Sequence, residues 1–452
     1  MNLDTIVALA TPPGVGAIGV IRVSGVKTIE IVNSVFRGKD LTSVASHTIH
    51  LGTIRDGETI VDEVLISIFK GPNSYTKEDV IEISCHGSQF IVQQLIKLLL
   101  RKGVRLAKPG EFTQRAFING RFDLAQAEAV ADLIASENES MHSAAMNQMR
   151  GGFSQEIKRL REELIHFASM IELELDFAEE DVEFASRDDL KQLIFKLKTL
   201  ITRLTESFTL GNAIKNGIPT VIAGKPNAGK STLLNALLNE EKAIVSDIPG
   251  TTRDVIEDVI NVDGIAFRFT DTAGIRTTED KVEAIGVERT YAKMKDASVI
   301  IYLIDMINDD LHDIETQLAY LHELGVPYLL IGNKIDQAQP ILKEALEKEK
   351  ALFISASQKE NLENLKDALK ELVSLDSFKT GNTIVTNLRH YESLVQTNDA
   401  LDRVITGIDH QVTNDFVAMD IRNALHHLGE LTGEITTDDL LDNIFSKFCI
   451  GK

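Results

Sequence analysis

Over the first 120 residues the apolar positions come in short runs. Thr5 to Ala10, Ala17 to Val23, His47 to Arg55, Val61 to Phe69 and Val80 to Ser84 are β-rich, and Pro12-Pro-Gly14, Arg55-Asp-Gly57 and Gly71-Pro-Asn73 break them apart. These runs predict strands and Gln89 to Lys102 a helix, so the segment reads as a small α+β domain. From Leu124 to about Gly211 the pattern changes. Pro and Gly nearly vanish, and apolar residues fall at helical spacing, as in Ala127, Val130, Ala131 and Ile134 and again in Leu160, Leu164 and Phe167. Helical patterns return at Asn387 to Gly407, Asp415 to Gly429 and Thr437 to Phe445. Neither helical block encloses a core alone, so the two are expected to pack together as one domain with an insertion between them.

The insertion opens with a short apolar run, Thr220-Val-Ile-Ala223, then Gly224-Lys-Pro-Asn-Ala-Gly-Lys-Ser231, then a helical pattern from Thr232. Strand, glycine loop and helix in that order predict a P-loop. The backbone through Asn227, Ala228, Gly229 and on to Thr232 would cradle phosphates, Lys230 would reach the β and γ phosphates, and the Ser231 hydroxyl would ligate magnesium. Further on, Ser246, Asp247, Ile248, Pro249, Gly250 and Thr251 lead to Thr252, a second hydroxyl for magnesium. The predicted strand Phe267 to Thr270 ends in Asp271, Thr272, Ala273 and Gly274, where the carboxylate can hold magnesium through water and the Gly274 N–H can sense the γ phosphate. The apolar run Tyr328 to Ile331 leads into Asn333, Lys334 and Asp336. The Asp336 carboxylate can accept from guanine's N1–H and 2-amino group, a donor pair that adenine lacks. Ser355 and Ala356, after the predicted strand Ala351 to Ile354, complete the base pocket. These elements, in order over about 135 residues, predict a Ras-like GTP-binding domain.

The expected organisation is an α+β domain over residues 1–120, a first helical part over 121–216, an inserted Ras-like G domain over 217–377 and a second helical part over 378–452. Lys and Arg number 47 against 68 Asp and Glu, a net charge of −21 that disfavours indiscriminate nucleic-acid binding. One local cluster runs the other way. Arg101, Lys102, Arg105, Lys108, Arg115 and Arg121 face the single acid Glu111, and the cluster reads either as a solvated turn and helix start or, the favoured reading, as a site for phosphate or another anion. The acidic stretch Glu172 to Glu183 spreads its carboxylates over several helix faces and reads as a solvated surface rather than a metal site. Two cysteines, Cys85 and Cys449, suit a reducing cytosol, and no apolar stretch approaches the roughly 18 residues of a membrane span. A cytoplasmic protein with no membrane partner is expected.

Hydrolysis needs help from an unusual quarter. The position after the D-x-x-G glycine, where water-positioning glutamines of Ras-like enzymes sit, is Ile275, which cannot hydrogen-bond water. Arg253 and Arg276 are candidate charge stabilisers, and Glu279, Asp280 and Glu283 candidate water orienters; spacing does not choose among them. Asn227 could hold a monovalent cation where other enzymes place an arginine.

Separated signatures resemble one family. The nucleotide motifs stand beside A-T-P-P-G at 10–14, I-R-V-S-G at 21–25, P-G-E-F-T-Q-R-A-F-I-N-G-R-F-D-L-A-Q-A-E-A-V at 109–130 and a terminal F-C-I-G-K at 448–452. Over its whole length the chain resembles the MnmE (TrmE) family of tRNA-modification GTPases. The resemblance implies a homodimer acting with a flavin-containing partner, MnmG (GidA), to place an aminomethyl-type group on carbon 5 of the wobble uridine of tRNA. It implies a potassium site at Asn227, with Ser246, Ile248 and Thr251 in the loop that supplies backbone oxygens, and a catalytic acid at Glu283. It also implies a 5-formyl- or 5,10-methylene-tetrahydrofolate site at Arg22, Glu82, Arg121 and Lys452, and a terminal motif in which the Cys449 thiol is needed for modification. A pterin's 2-amino and N3–H groups want a carboxylate and the folate tail a guanidinium, which fits those residue types. One departure is Ser88, where the family commonly has a second glycine.

A different class, an RNA-binding ribosome-assembly GTPase, fits poorly. Such proteins usually add a basic domain, and the last 73 residues hold five Lys or Arg against eleven Asp or Glu.

Overall fold

The computed structural model describes residues 4–152, 154–176, 186–241, 258–262, 265–269, 293–337, 340–372 and 384–451. They fall into two units. One comprises the chain up to Ala135, Ala145–Thr205 and Arg389 onward; the other comprises Ser136–Ala144 and Glu206–Leu388.

In the first unit a seven-stranded sheet runs β3-β4-β5-β6-β2-β1-β7, with β1 at Ile6–Leu9, β2 at Ile18–Ser24, β3 at Phe36–Arg37, β4 at Thr48–Asp56, β5 at Thr59–Phe69, β6 at Val80–His86 and β7 at Arg105–Leu106. Alternation along the strands gives it one apolar face. Ile21, Val23, Ile66, Ile81 and Ile83 pack there with Leu95, Leu98 and Leu99 of the helix Gln89–Arg101 and with Val32 and Val35 of a helix over Thr28–Val35. The latter helix was not foreseen in the sequence. Ser88 precedes the longer helix at φ −84°, a conformation open to any residue, so the turn does not need the family's second glycine. On the other face the antiparallel register sets Arg22 of β2 beside Glu82 of β6.

The helices of this unit include Leu124–Ile134, Ser154–Asp176, Arg187–Glu206, Leu388–Asp409, Asn414–Thr432 and Asp438–Ser446. Asp123 opens the first with a capping box, its side chain accepting from the Gln126 N–H while the Gln126 side chain accepts from the Asp123 N–H. Glu128, buried in that helix, receives Arg389 Nε at 3.0 Å and Nη2 at 2.7 Å and lies 2.6 Å from Nε2 of the fully buried His390. Burial alone would raise the Glu128 carboxyl, but His390 and then Arg389 hold it at about 2. The acidic stretch departs from its solvated reading at Glu174, which is buried and paired with Arg187 and with Asn414, the latter distant in sequence.

The second unit carries a six-stranded sheet of order β13-β12-β11-β8-β10-β9, with β8 at Ile218–Gly224, β9 at Asp258–Val262, β10 at Ile265–Phe269, β11 at Val299–Asp305, β12 at Tyr328–Asn333 and β13 at Leu352–Ile354. All neighbours pair in parallel except β9 with β10. Every residue of β11 is buried, as expected of a parallel strand covered on both faces. Ile301 and Leu303 enter one core and Ile300, Tyr302 and Ile304 the other. The chain entering and leaving this sheet is clasped. The Val385 N–H donates to Ser207 Oγ at 3.1 Å, and a Cβ on Gly211, in the helix Phe208–Asn216, would stand 2.0 Å from the Val385 carbonyl oxygen.

Candidate functional site

The parallel register brings the carboxyl ends of β8, β11 and β12 to one edge, with Gly224 level with Leu303 and Asp305 level with Asn333. Ligands of open α/β sheets bind at that edge. In the loop after β8, Asn227 takes φ +65° with its side chain exposed, and Gly229 takes φ +98°. A Cβ at Gly229 would fall 2.2 Å from the Asn333 side-chain nitrogen, so the loop needs glycine there on both counts.

That nitrogen is a pin. Asn333, 2% exposed, donates from Nδ2 to the Ala228 carbonyl at 2.8 Å and accepts at Oδ1 from the Ala356 N–H at 3.0 Å. One buried amide thus ties the loop before the helix Lys230–Glu241 to the loop after β13. The Lys230 ammonium donates to the Gly224 and Lys225 carbonyls at 2.8 Å each, and burial pushes it below the ordinary lysine value, offset in part by Asp309. Ser231 and Thr232 follow in the first turn of the helix, at the positive end of its dipole.

Asp336 is exposed. Its Oδ1 accepts from the Ser355 hydroxyl at 2.8 Å and Oδ2 from Gln337 at 3.1 Å, and these two bonds hold its carboxyl below the usual range. Lys334, at φ +68°, donates to Asp305 Oδ2 at 2.7 Å. Burial would raise the Asp305 carboxyl, yet Lys334, Asn308 and the Ile307 N–H bring it below its ordinary value. Sequence reasoning missed Asp305, although a carboxylate closing an apolar strand was an available signal. It also missed the link from Lys225 to Asp309 and Asp313.

Ser246, Asp247, Ile248, Pro249, Gly250, Thr251, Thr252, Asp271, Thr272, Ala273, Gly274, Glu283 and Lys452 lie outside the described residues, as do Arg253, Ile275, Arg276, Glu279 and Asp280.

In the other unit a second constellation forms around β2 and β6. Arg22 donates to Glu82 Oε1 from Nε at 2.9 Å and Nη2 at 2.8 Å, and from Nη1 to the Gly451 carbonyl at 3.3 Å. The chain end is seated there: Phe445 and Phe448 pack with Leu124, Ala127 and Leu441, the Gly110 N–H donates to the Cys449 carbonyl at 3.4 Å, and the Cys449 side chain is exposed. Arg121 donates to the Ser74 carbonyl, and its guanidinium carbon lies 5.3 Å from the ring centroid of Tyr75, a residue the sequence did not single out. Cys85 points instead into the core, where burial, with the Asp62 charge adding, pushes its thiol up to about 11.

Three members of the basic cluster expected between Arg101 and Arg121 are paired with carboxylates of the chain. Arg105 pairs with Asp4 and Glu111, the buried Arg115 with Asp4, Glu78 and Glu111, and Arg101 with Asp56. Three of those acids are distant in sequence, so counting charges within the segment could not reveal them. Among the described residues no carboxylate pairs with the side chains of the other three, Lys102, Lys108 and Arg121.

Two family models match: "GTP-binding protein TrmE N-terminus" over residues 5–121 and "MnmE helical domain" over residues 124–449. The chain is similar to "tRNA modification GTPase MnmE" of Cytophaga hutchinsonii, 61% identical over 100% of this chain and 98% of that protein. To the protein of the same description from Bacteroides thetaiotaomicron it is 49% identical over 100% of both. Among solved structures, Aquifex aeolicus Era bound to GDP.AlF4- matches 40% of this chain and 66% of its own at 28% identity and TM-score 0.26. The G domain of the T. maritima FeoB iron transporter matches 34% and 98% at 27% identity and TM-score 0.26.

Proposed function

Since the chain belongs to the MnmE (TrmE) family of tRNA-modification GTPases, and is therefore a GTP hydrolase of tRNA modification, we propose that it acts as a homodimer with a flavin-containing partner of the MnmG (GidA) kind. Together they would use a one-carbon unit from 5-formyl- or 5,10-methylene-tetrahydrofolate to modify carbon 5 of the wobble uridine. In this reading residues 1–120 hold the folate and dimerise, 217–377 form the G domain, and 121–216 with 378–452 form the helical domain that carries the terminal motif.

Within the G domain Asp336, braced by Ser355, selects guanine, Lys230 stands at the phosphates, and Asn333 keeps both loops in register. Ser231 and Thr252 would hold magnesium, and Asn227 with the backbone around Ser246, Ile248 and Thr251 would hold potassium; these ions supply positive charge where the transferring phosphate gains negative charge. The exposed Asn227 side chain on a left-handed residue of the phosphate loop suits such a ligand. Glu283 then orients the attacking water.

The folate half rests on one observation. The Arg22 guanidinium bonds both Glu82 and the backbone of Gly451, which supports a shared site for the carboxylate that would accept from the pterin and for the thiol-bearing chain end. Glu82 meets Arg22 through Oε1, and Oε2 has no hydrogen-bond partner among the described residues, so it can accept from a pterin donor. Mass spectrometry of wobble uridines tests the whole reading. A strain lacking the gene should lose the modification and regain it with the wild-type chain. Cys449→Ser should fail to restore it while GTP turnover persists. Full restoration by Cys449→Ser would remove the thiol from the reaction, and loss of GTP turnover would make it a folding residue.

A further inference from the structure

Two like-charged guanidinium groups share one aromatic ring. Tyr75 is half-buried in the segment between β5 and β6, and its hydroxyl lies 2.9 Å from Oγ1 of the fully buried Thr113. The guanidinium carbons of Arg22 and Arg121 each stand 5.3 Å from its ring centroid, so they lie within twice that distance of one another. Arg22 also faces Phe112 at 5.7 Å and Arg121 faces Phe122 at 5.2 Å. The negative face of a ring attracts a cation, and one ring serving two cations offsets their mutual repulsion while fixing where each can stand.

The two arginines differ in what remains to them. Arg22 has its charge matched by Glu82 at 2.8 Å. Arg121 is exposed, is oriented by the Ser74 carbonyl and two rings, and pairs with no carboxylate among the described residues. A cation held in place without a counter-charge is prepared to meet an oxygen acceptor on a ligand. We propose that Tyr75 is a positioning residue of the reduced-folate site. Its ring sets the Arg121 guanidinium against the Arg22–Glu82 pair, so that one ligand engages the Glu82 carboxylate and the Arg121 donors together. The inference rests on the folate reading above and adds to it a residue that touches the arginines rather than the chemistry.

The test keeps the ring's volume and changes its charge distribution. Full-length protein is made with Tyr75→Phe, and then with phenylalanines bearing increasing numbers of ring fluorines at the same position; 5-formyltetrahydrofolate is titrated by calorimetry. Tyr75→Phe should bind within about threefold of wild type, because the hydroxyl faces Thr113 rather than the arginines. Affinity should then fall stepwise with fluorination, reaching roughly tenfold at the most fluorinated ring, as the attractive face is lost. Melting temperature and GTP turnover should stay constant along the series. In an Arg121→Gln background the dependence on fluorination should flatten, which mere packing would not predict. A flat series in the otherwise wild-type chain, with tight binding throughout, overturns the role of Tyr75 and leaves the folate reading standing. Absence of binding by the wild type overturns both.

Discussion

Asn333→Asp isolates the pin between the two nucleotide loops. The substitution keeps the shape of the side chain and keeps Oδ1, which still accepts from the Ala356 N–H at 3.0 Å. The other half is inverted, since an oxygen replaces the Nδ2 that donated to the Ala228 carbonyl at 2.8 Å, and two acceptors then face each other in a site 2% exposed. One hydrogen bond worth about 1 kcal/mol is lost, and the Ala228 carbonyl left unsatisfied adds about 1–3 kcal/mol. If that falls on the nucleotide-binding conformation of the loop, GTP affinity should drop by about 2–4 kcal/mol, or roughly 30- to 1000-fold. The sign of the pH dependence follows. Burial raises the new carboxyl, and once protonated it can donate to Ala228 again, so the deficit should shrink as pH falls from 8 toward 5. Titration with a fluorescent guanine nucleotide across that range, beside a thermal melt, measures both. An affinity within about threefold of wild type at pH 8, or a deficit that ignores pH, would refute the pin. Gly229→Ala should act in the same direction, because its Cβ would intrude on the same amide.

Asp336→Asn should weaken GTP roughly tenfold or more and favour xanthosine triphosphate, because the new amide presents a donor to guanine's donors; unchanged GTP affinity would overturn the base-pocket assignment. Turnover should be faster in potassium than in sodium for the wild type and equally slow in both for Asn227→Ala, and equal wild-type rates in the two salts would remove the potassium site. Glu128 is held at about 2 against an ordinary 4.5, so its ionised form stabilises the fold above pH 4.5 and that contribution is lost as pH falls through about 2. Glu128→Gln should therefore lower stability by about 3 kcal/mol near neutrality, with the gap narrowing in urea melts toward pH 3. A gap that stays constant with pH would refute the pairing.

Local order was legible in the sequence, and distant pairing was not. Strand, loop and helix around Lys230 are contiguous, so the phosphate loop could be read from spacing, as could the strand that delivers Asn333 and Asp336. The bond from Asn333 to Ala228 spans 105 residues, and no period or motif reports it. Charge misled for the same reason: Arg105 and Arg115 look unpaired within their segment because Asp4 and Glu78 arrive from the segments that precede β1 and β6. Tyr75 was invisible because an aromatic in a turn is ordinary until two arginines, one 53 and one 46 positions away, converge on it.

The close approach of Gly211 to Val385 makes the segment between them a cartridge. Its incoming and outgoing chains meet at a point where not even a methyl group fits, so the gap left by lifting out the intervening segment would be narrow enough for a linker of a few residues. A different switch with equally close termini could be grafted at the same place, and a methyl group added at Gly211 would prise the graft point open.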